Sequence, residues 1–122
     1  MTTLFPFVSD LHFNSLLGLC TPVVRVANKD SYRATKGQLA LWGSWKEFWD
    51  IVGEKKVEVD GECIGVVAGD LNDLNVHNGT ELISRAEGDI IRGTVGVLQP
   101  MLDVVDRIAL MRGTQALSLI HI

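Results

Sequence analysis

One short apolar run constrains the fold more than any other feature of this sequence. Ile64-Gly65-Val66-Val67-Ala68 contains no polar side chain and stops at Gly69-Asp70. A strand with one solvent-facing side alternates apolar and polar residues, whereas an unbroken apolar run is typical of a strand covered on both faces. We therefore predict a buried strand in a mainly parallel sheet that carries helices on its faces.

Two further apolar runs fit the same sheet. Leu4-Phe5-Pro6-Phe7-Val8 stops at Ser9-Asp10, and Ile108-Ala109-Leu110-Met111 stops at Arg112-Gly113-Thr114. Proline has no backbone N–H to donate, so the first strand either begins at about Phe7 or is irregular over its first half.

Ligands of α/β proteins bind beyond the carboxyl ends of the parallel strands. Each of the three predicted strands ends in polar or glycine-containing sequence. We therefore expect Asp10, Asp70 and Thr114 to lie along one edge of the sheet.

Helical patterns separate the predicted strands. Residues 35–52 place apolar side chains at steps of three and four, and Thr35 is a candidate N-cap: the stripe comprises Leu39, Trp42, Trp45, Phe48, Trp49 and Val52. We interpret its tryptophans as core residues rather than as a base-stacking platform. A second helix is predicted over residues 81–105, and Pro100 is expected to kink or divide it.

The remaining segments have the composition of loops and turns. Residues 14–35 include Gly18, Pro22, Asn28 and Asp30, which favours a long surface loop with at most one short strand at Val23–Val26. Residues 54–56 and 60–62 are charged and are expected to form solvated turns around a short segment at Val57–Val59. The predicted order is strand, helix, strand, helix, strand, an α/β arrangement with crossover helices.

Composition limits the classes of function. The chain has 122 residues and a formal net charge of −4, which fits one domain without a general basic surface for nucleic acid. No apolar run reaches the ~18–20 residues of a membrane span, and the N-terminus lacks a secretory signal, so we predict a cytoplasmic protein without membrane partners. Cys20 and Cys63 match neither a disulfide framework nor a zinc spacing, and we predict that they are reduced packing residues.

Asp10, His12 and Asp70 are the candidate metal ligands. In an extended segment, residues two apart point to the same side, so Asp10 and His12 can direct a carboxylate and an imidazole to one point. This mixed donor set suits manganese, iron, zinc or similar ions. Asp70 follows a buried strand and a permissive glycine, and its carboxylate could bridge two cations. Asp73 either positions a ligand or caps the following turn.

The two strand-end motifs resemble those of calcineurin-like metallophosphoesterases, which carry Asp-x-His after the first strand and Gly-Asp-x-x-Asp after the next core strand. The corresponding residues are Asp10-Leu11-His12 and Gly69-Asp70-Leu71-Asn72-Asp73. The resemblance to a branch common in phages and prophages spans nearly residues 4 to 116. It rests on Ser9-Asp10-Leu11-His12, Tyr32-Arg33-Ala34-Thr35-Lys36-Gly37-Gln38, Gly79-Thr80-Glu81-Leu82 and Arg112-Gly113-Thr114.

The resemblance implies the N-terminal half of a four-layer α/β/β/α sandwich that hydrolyses phosphoric esters with two divalent metal ions and activated water. Manganese is the preferred ion, and iron, zinc or nickel are alternatives. Asp10 and His12 would bind the first ion, and Asp70 would bridge both. The implied substrate is a phosphoester, with nucleotides and nucleic acids included, and the location is the cytoplasm of a bacterium or of a phage-infected host.

The chain departs from the family at the third motif. Thr114 stands near the place of the family's metal-binding asparagine, and Leu117 stands where this branch usually has a histidine. His77 is the remaining candidate for substrate contact or protonation of the leaving group, with Asn75 as a weaker companion. Arg112 could bind a phosphate oxygen, although an arginine that closes a strand is as often a surface ion-pair partner.

The family has a second half that supplies further histidines, and residues 117–122 differ from the expected continuation. We therefore interpret residues 1–116 as a partial metallophosphoesterase domain with weak or no turnover, and residues 117–122 as a tail of foreign sequence. The alternative hypothesis is a non-catalytic α/β module. In it, Asp10 and Asp70 are ordinary turn residues and the tryptophan-bearing helix faces a protein partner. The sequence leaves the oligomeric state open.

Overall fold

A computed structural model describes residues 2–27, 29–71 and 82–111, which form an α/β fold with a mainly parallel sheet and two helices. The elements in chain order are β1 (Thr3–Leu4), β2 (Phe7–Val8), β3 (Val23–Val26), β4 (Lys29–Arg33), α1 (Lys36–Val59), β5 (Glu62–Ala68), α2 (Glu87–Leu102) and β6 (Arg107–Met111). The predicted order of strand, helix, strand, helix, strand is confirmed, with the first strand divided into β1 and β2 and with β3 and β4 placed before α1.

The apolar run at residues 64–68 forms the centre of the sheet, as predicted. β2 and β6 both pair with β5 in parallel, and both pair with Val66, so they occupy its two opposite edges. β1 pairs in parallel with the start of β5. Pro6 divides the first run into β1 and β2, and its carbonyl oxygen accepts a hydrogen bond from the Val66 N–H at 2.8 Å. The ladder therefore continues past a residue that has no donor of its own.

The loop predicted at residues 14–35 contains two strands rather than at most one. β3 lies where a strand was predicted, but it pairs antiparallel with β4, a strand that the sequence reading missed. The β4 sequence Lys-Asp-Ser-Tyr-Arg is mainly polar and lacks the apolar run of a buried strand. Pairing with β3 decides its conformation, because strand preference depends strongly on context.

Helix α1 begins as predicted but ends later. Thr35 caps it in a capping box, with its side chain accepting from the Gln38 N–H. The turns predicted at residues 54–56 and the separate segment at Val57–Val59 are wrong, since both belong to the helix. Lys56 holds these last turns in place, because its Nζ donates to the Val104 carbonyl oxygen at 2.9 Å and to Asp106 Oδ1 at 2.9 Å.

Helix α2 is shorter than predicted and is one helix. It starts at Glu87 rather than near residue 81, because the backbone N–H groups of Ile83 and Ser84 bond to Asn14 instead of continuing a helix. Pro100 lies in its last turn and does not divide it. A proline this close to the helix end removes one backbone bond without interrupting a longer ladder.

The core lies between the sheet and the two helices. Trp45 and Trp49 are buried in it and meet edge to face with ring centroids 5.5 Å apart, so the interpretation of these two tryptophans as core residues is confirmed. Trp45 Nε1 also donates to the Val97 carbonyl oxygen at 2.8 Å, which joins α1 to α2. Within the described residues, neither helix combines the length and the apolar composition needed to cross a bilayer.

Candidate metal centre

The segments that follow β2 and β5 are joined beyond the sheet by three backbone hydrogen bonds. The N–H groups of Asp10, His12 and Phe13 donate to the carbonyl oxygens of Gly69, Asp70 and Leu71 at 3.3, 2.9 and 3.1 Å. These bonds hold the two predicted motifs side by side. The expectation that Asp10 and Asp70 lie along one edge of the sheet is confirmed.

Apolar neighbours anchor the candidate ligands. Leu11, Phe13 and Leu71 are buried in the hydrophobic core, whereas Asp10 is exposed and His12 and Asp70 are half-buried. The Phe13 ring packs so closely on α2 that a Cβ atom at Gly93 would lie 2.0 Å from Phe13 Cζ. Because Leu11 and Phe13 are buried, the side chains of the alternate residues Asp10 and His12 point away from the core.

The three predicted ligands converge. One ligand atom from each of Asp10, His12 and Asp70 can be chosen so that all three lie within 4.8 Å of one another. Asp10 Oδ1 and His12 Nε2 are 3.7 Å apart, and their side chains are 66% and 41% exposed. Two donors bound at ~2.1 Å to one ion lie at most about 4.2 Å apart, so this pair fits a shared cation.

The donor chemistry also fits a divalent transition metal. Two carboxylates and one imidazole combine hard oxygen and borderline nitrogen donors, a set that suits manganese, iron, zinc or nickel. Asp10 Oδ2 accepts a hydrogen bond from Ser9 Oγ at 3.0 Å, which orients its carboxylate. Among the residues that the structure describes, this is the one group of three or more such side chains close enough to share an ion.

The backbone at the site differs from the sequence prediction. Asp10 and His12 were expected to share a direction because they lie in an extended segment. Instead, Asp10, His12 and Asp70 have positive φ angles of 56°, 46° and 46°. The two side chains of the first motif converge through alternating left-handed residues. Left-handed backbone is unfavourable for most residues other than glycine, although Asp and His adopt it more readily than most, so the three ligands lie in a conformation with modest local strain of the kind often found at functional sites.

The strain at His12 predicts an unusual order of stability between two variants. Without metal, His12→Gly should exceed His12→Ala in free energy of unfolding by about 1 kcal/mol, because glycine has no Cβ to oppose a positive φ. Urea denaturation measures the difference. The matched control is the exposed helical residue Glu47, where glycine should instead be about 1 kcal/mol less stable than alanine. The same order at both positions would contradict the left-handed conformation of His12.

Gln38 fixes the turn that follows His12. Its Nε2 donates to the carbonyl oxygens of Ser15 at 3.3 Å and Gly18 at 3.1 Å. Its Oε1 accepts from Tyr32 Oη at 2.7 Å and from the Thr35 N–H at 3.0 Å. The buried amide of Gln38 therefore joins three segments: the turn after His12, the hairpin formed by β3 and β4, and the start of α1. Thr35 was predicted as a cap, but the role of Gln38 was not predicted. The Thr-x-x-Gln spacing of a capping box is the sequence signal that links Thr35 to Gln38.

A second polar network starts at Asn14, two residues after His12. Asn14 is fully buried with a φ of 83°, and its side chain donates to the Ser84 carbonyl oxygen at 2.7 Å and accepts from the Ser84 N–H at 2.9 Å. Ser84 Oγ donates to Asp89 Oδ2 at 2.8 Å. This network connects positions 70 residues apart and has no local sequence pattern from which it could be predicted.

Asp89 ends this network as a buried carboxylate. It accepts hydrogen bonds from the Ala27 N–H, Ser84 Oγ and Arg92. These interactions, with the Ala27 N–H the largest, lower the pKa of Asp89 below its usual value despite the opposing effect of burial. The ionised carboxylate thus ties the β3–β4 hairpin to the first turn of α2.

The two cysteines are buried and free, as predicted. Burial raises the pKa of Cys20 to about 11 and also raises the pKa of Cys63. Both thiols therefore stay protonated near neutral pH, and a protonated thiol is a poor metal ligand. Neither cysteine belongs to the group around Asp10.

Five predicted site residues lie outside the described residues, and their predictions stand as made from the sequence. They are Asp73, Asn75, His77, Arg112 and Thr114.

Comparisons with protein-family models, curated proteins and solved structures found no match to this chain. The assignment of a function therefore depends on the site itself and on the motif resemblance.

Proposed function

We propose that this chain is a metal-dependent phosphoesterase whose first metal ion is held by Asp10 and His12, with Asp70 as the bridge to a second. The observation that carries the proposal is the convergence of the three ligand atoms within 4.8 Å at the carboxyl ends of β2 and β5. Asp10 and Asp70 are 60 positions apart in the sequence. Parallel pairing of β2 with β5 brings the two strand ends together, and the side chains that the two motifs place where they meet are three donors of the types that bind divalent ions.

The proposed roles follow from donor type and position. Asp10 and His12 present an oxygen and a nitrogen donor 3.7 Å apart, and Asp70 has two carboxylate oxygens with which to bridge. When bound, divalent ions act as Lewis acids that lower the pKa of water and neutralise charge on a phosphoryl group. Manganese is the ion that we propose first, and iron, zinc or nickel would suit the same donors.

The finer assignments rest on the motif resemblance and on the sequence. We assign His77 to protonation of the leaving group, Arg112 to a phosphate oxygen, and Asp73, Asn75 and Thr114 to the surroundings of the second ion. The α/β fold is compatible with the first half of a four-layer sandwich, and this larger architecture is part of the proposal. A cytoplasmic location is part of it as well.

Hydrolysis of aryl phosphates tests the proposal. With Mn²⁺ present, the protein should release 4-nitrophenol from 4-nitrophenyl phosphate or its bis-ester, and Asp10→Asn should lower kcat/KM by about 100-fold or more, since it removes a ligand. We expect slow turnover, because the described residues supply donors for one ion and a bridge. The test therefore depends on the ratio of kcat/KM between the unsubstituted protein and Asp10→Asn rather than on the absolute rate.

The control is Asp50→Asn, which removes an exposed carboxylate of α1 and should leave kcat/KM unchanged. Equal hydrolysis by Asp10→Asn and the unsubstituted protein would place the activity elsewhere. Absence of both Mn²⁺ binding and ester hydrolysis would instead favour the non-catalytic module, in which Asp10 and Asp70 are ordinary turn residues. The burial of Trp45 and Trp49 already removes two of the three tryptophans that such a module would present to a partner.

A further inference from the structure

A cavity of about 620 Å³ adjoins the candidate metal centre. Its lining includes Ser9, Asp10 and His12 together with residues of the turn after His12 and of α1. The polar donors and the apolar wall therefore belong to one continuous space. Its volume is in the usual range for sites that bind small organic molecules.

Much of the cavity wall is apolar and open to solvent. Leu17 and Leu41 line it and are 85% and 47% exposed, and Phe48 and the buried Trp45 complete it. Large apolar side chains that remain in water beside a polar cluster are typical of ligand grooves. Covering this wall with an apolar group would remove their surface from water.

The charges of the lining residues limit the occupant. Among the described residues that line the cavity there is no lysine or arginine, and Asp10 is the one carboxylate. Nucleic-acid backbones and polyphosphate chains bind where cationic side chains neutralise them. The apolar wall of the cavity therefore favours an uncharged organic group over a chain of phosphates.

We infer that this cavity binds the aromatic or otherwise apolar organic group of a phosphoester whose phosphoryl group lies at Asp10, His12 and Asp70. The inference rests on the proposed function and narrows its substrate class to esters of apolar alcohols or phenols. Leu17, Leu41 and Phe48 would contact the organic group, and the metal ligands would face the ester.

Binding of 2-naphthol to the metal-free protein tests the cavity without any turnover. Isothermal titration should show that Leu41→Asp weakens 2-naphthol binding by about 10-fold or more, because it places a charge in the apolar wall. Val57→Asp is the matched control: Val57 is an 81% exposed residue of the same helix and lies outside the cavity. The Val57→Asp variant should bind 2-naphthol with the same affinity as the unsubstituted protein. Equal affinities in all three proteins would overturn the inference.

A comparison of esters with Mn²⁺ separates the cavity from the proposed function. 2-Naphthyl phosphate should exceed phenyl phosphate in kcat/KM by about 10-fold, and Leu41→Asp should remove that preference, because the second ring buries additional apolar surface. Hydrolysis of both esters at equal kcat/KM would overturn the inference about the cavity but would still support the proposed phosphoesterase activity. Cavity binding of 2-naphthol without hydrolysis of either ester would overturn the phosphoesterase and, with it, the assignment of this ligand as a substrate.

The cavity wall could also be buried between two copies of the chain. Sedimentation equilibrium distinguishes this case, since the inference expects the same molar mass for Leu41→Asp and Val57→Asp. A dimer that Leu41→Asp alone dissociates, together with no binding of 2-naphthol, would overturn the inference and identify the wall as an interface.

Discussion

Saturating Mn²⁺ is expected to raise the Tm of the protein by about 10 °C, and Asp70→Asn is expected to remove this shift. An ion that binds only the native state at about 100 times its Kd stabilises that state by about 2.7 kcal/mol. One kcal/mol corresponds to roughly 4 °C for a domain of this size. Asp70 supplies one of the three converging ligand atoms, so its loss should weaken Mn²⁺ binding strongly.

Asparagine is a suitable replacement at this position because it tolerates the left-handed backbone of Asp70, whose φ is 46°. The metal-free Tm of Asp70→Asn should therefore stay close to that of the unsubstituted protein. Asp50→Asn, on the exposed face of α1, should keep the full Mn²⁺ shift. Differential scanning calorimetry measures all three proteins. An undiminished shift in Asp70→Asn would exclude Asp70 as a ligand.

Gly18→Ala is expected to destabilise the protein and weaken its Mn²⁺ site together. A Cβ atom at Gly18 would lie 2.0 Å from the His12 carbonyl oxygen, a contact with backbone that no side-chain rotation can relieve. Either the turn or the His12 backbone must move. We expect the free energy of unfolding to fall by about 2 kcal/mol, as for other overpacked sites, and Mn²⁺ affinity to fall by about 10-fold.

The control for this substitution is Gly43→Ala in α1. A Cβ atom at Gly43 would meet nothing within 4 Å. Alanine there should raise the free energy of unfolding by about 1 kcal/mol, because it is the better helix former, and should leave Mn²⁺ affinity unchanged. Urea denaturation and Mn²⁺ titration measure both effects. Similar results for Gly18→Ala and Gly43→Ala would show that the close approach to His12 does not position the site.

Much of the fold could be predicted from local patterns. The apolar runs predicted β5, β6 and a first strand, although not its division at Pro6 into β1 and β2, and the helical stripe and Thr35 predicted the start of α1. The errors lie where contacts distant in sequence override local preference. β4 needs β3 as a pairing partner, the last turns of α1 are held by Lys56, and residues 83 and 84 bond to Asn14 instead of joining α2.

The candidate site divides in the same way. The ligand types and their placement at strand ends could be read from Asp10, His12 and Asp70, because parallel strands bring their carboxyl ends together. The conformation that joins them could not. Extended geometry was the wrong explanation, and the left-handed residues depend on bonds such as that from the His12 N–H to the Asp70 carbonyl oxygen.

By itself, the sequence determined which segments form the apolar strands of the sheet and which donor side chains follow them, because both depend on the order of residues within a few positions. Only the tertiary structure decided how far apart the donors lie, which backbone conformation presents them, and that an apolar cavity adjoins them. Gln38 and Asn14 illustrate the physical reason. Their side chains satisfy backbone groups of residues 20 and 70 positions away, and such bonds exist only after the chain has folded.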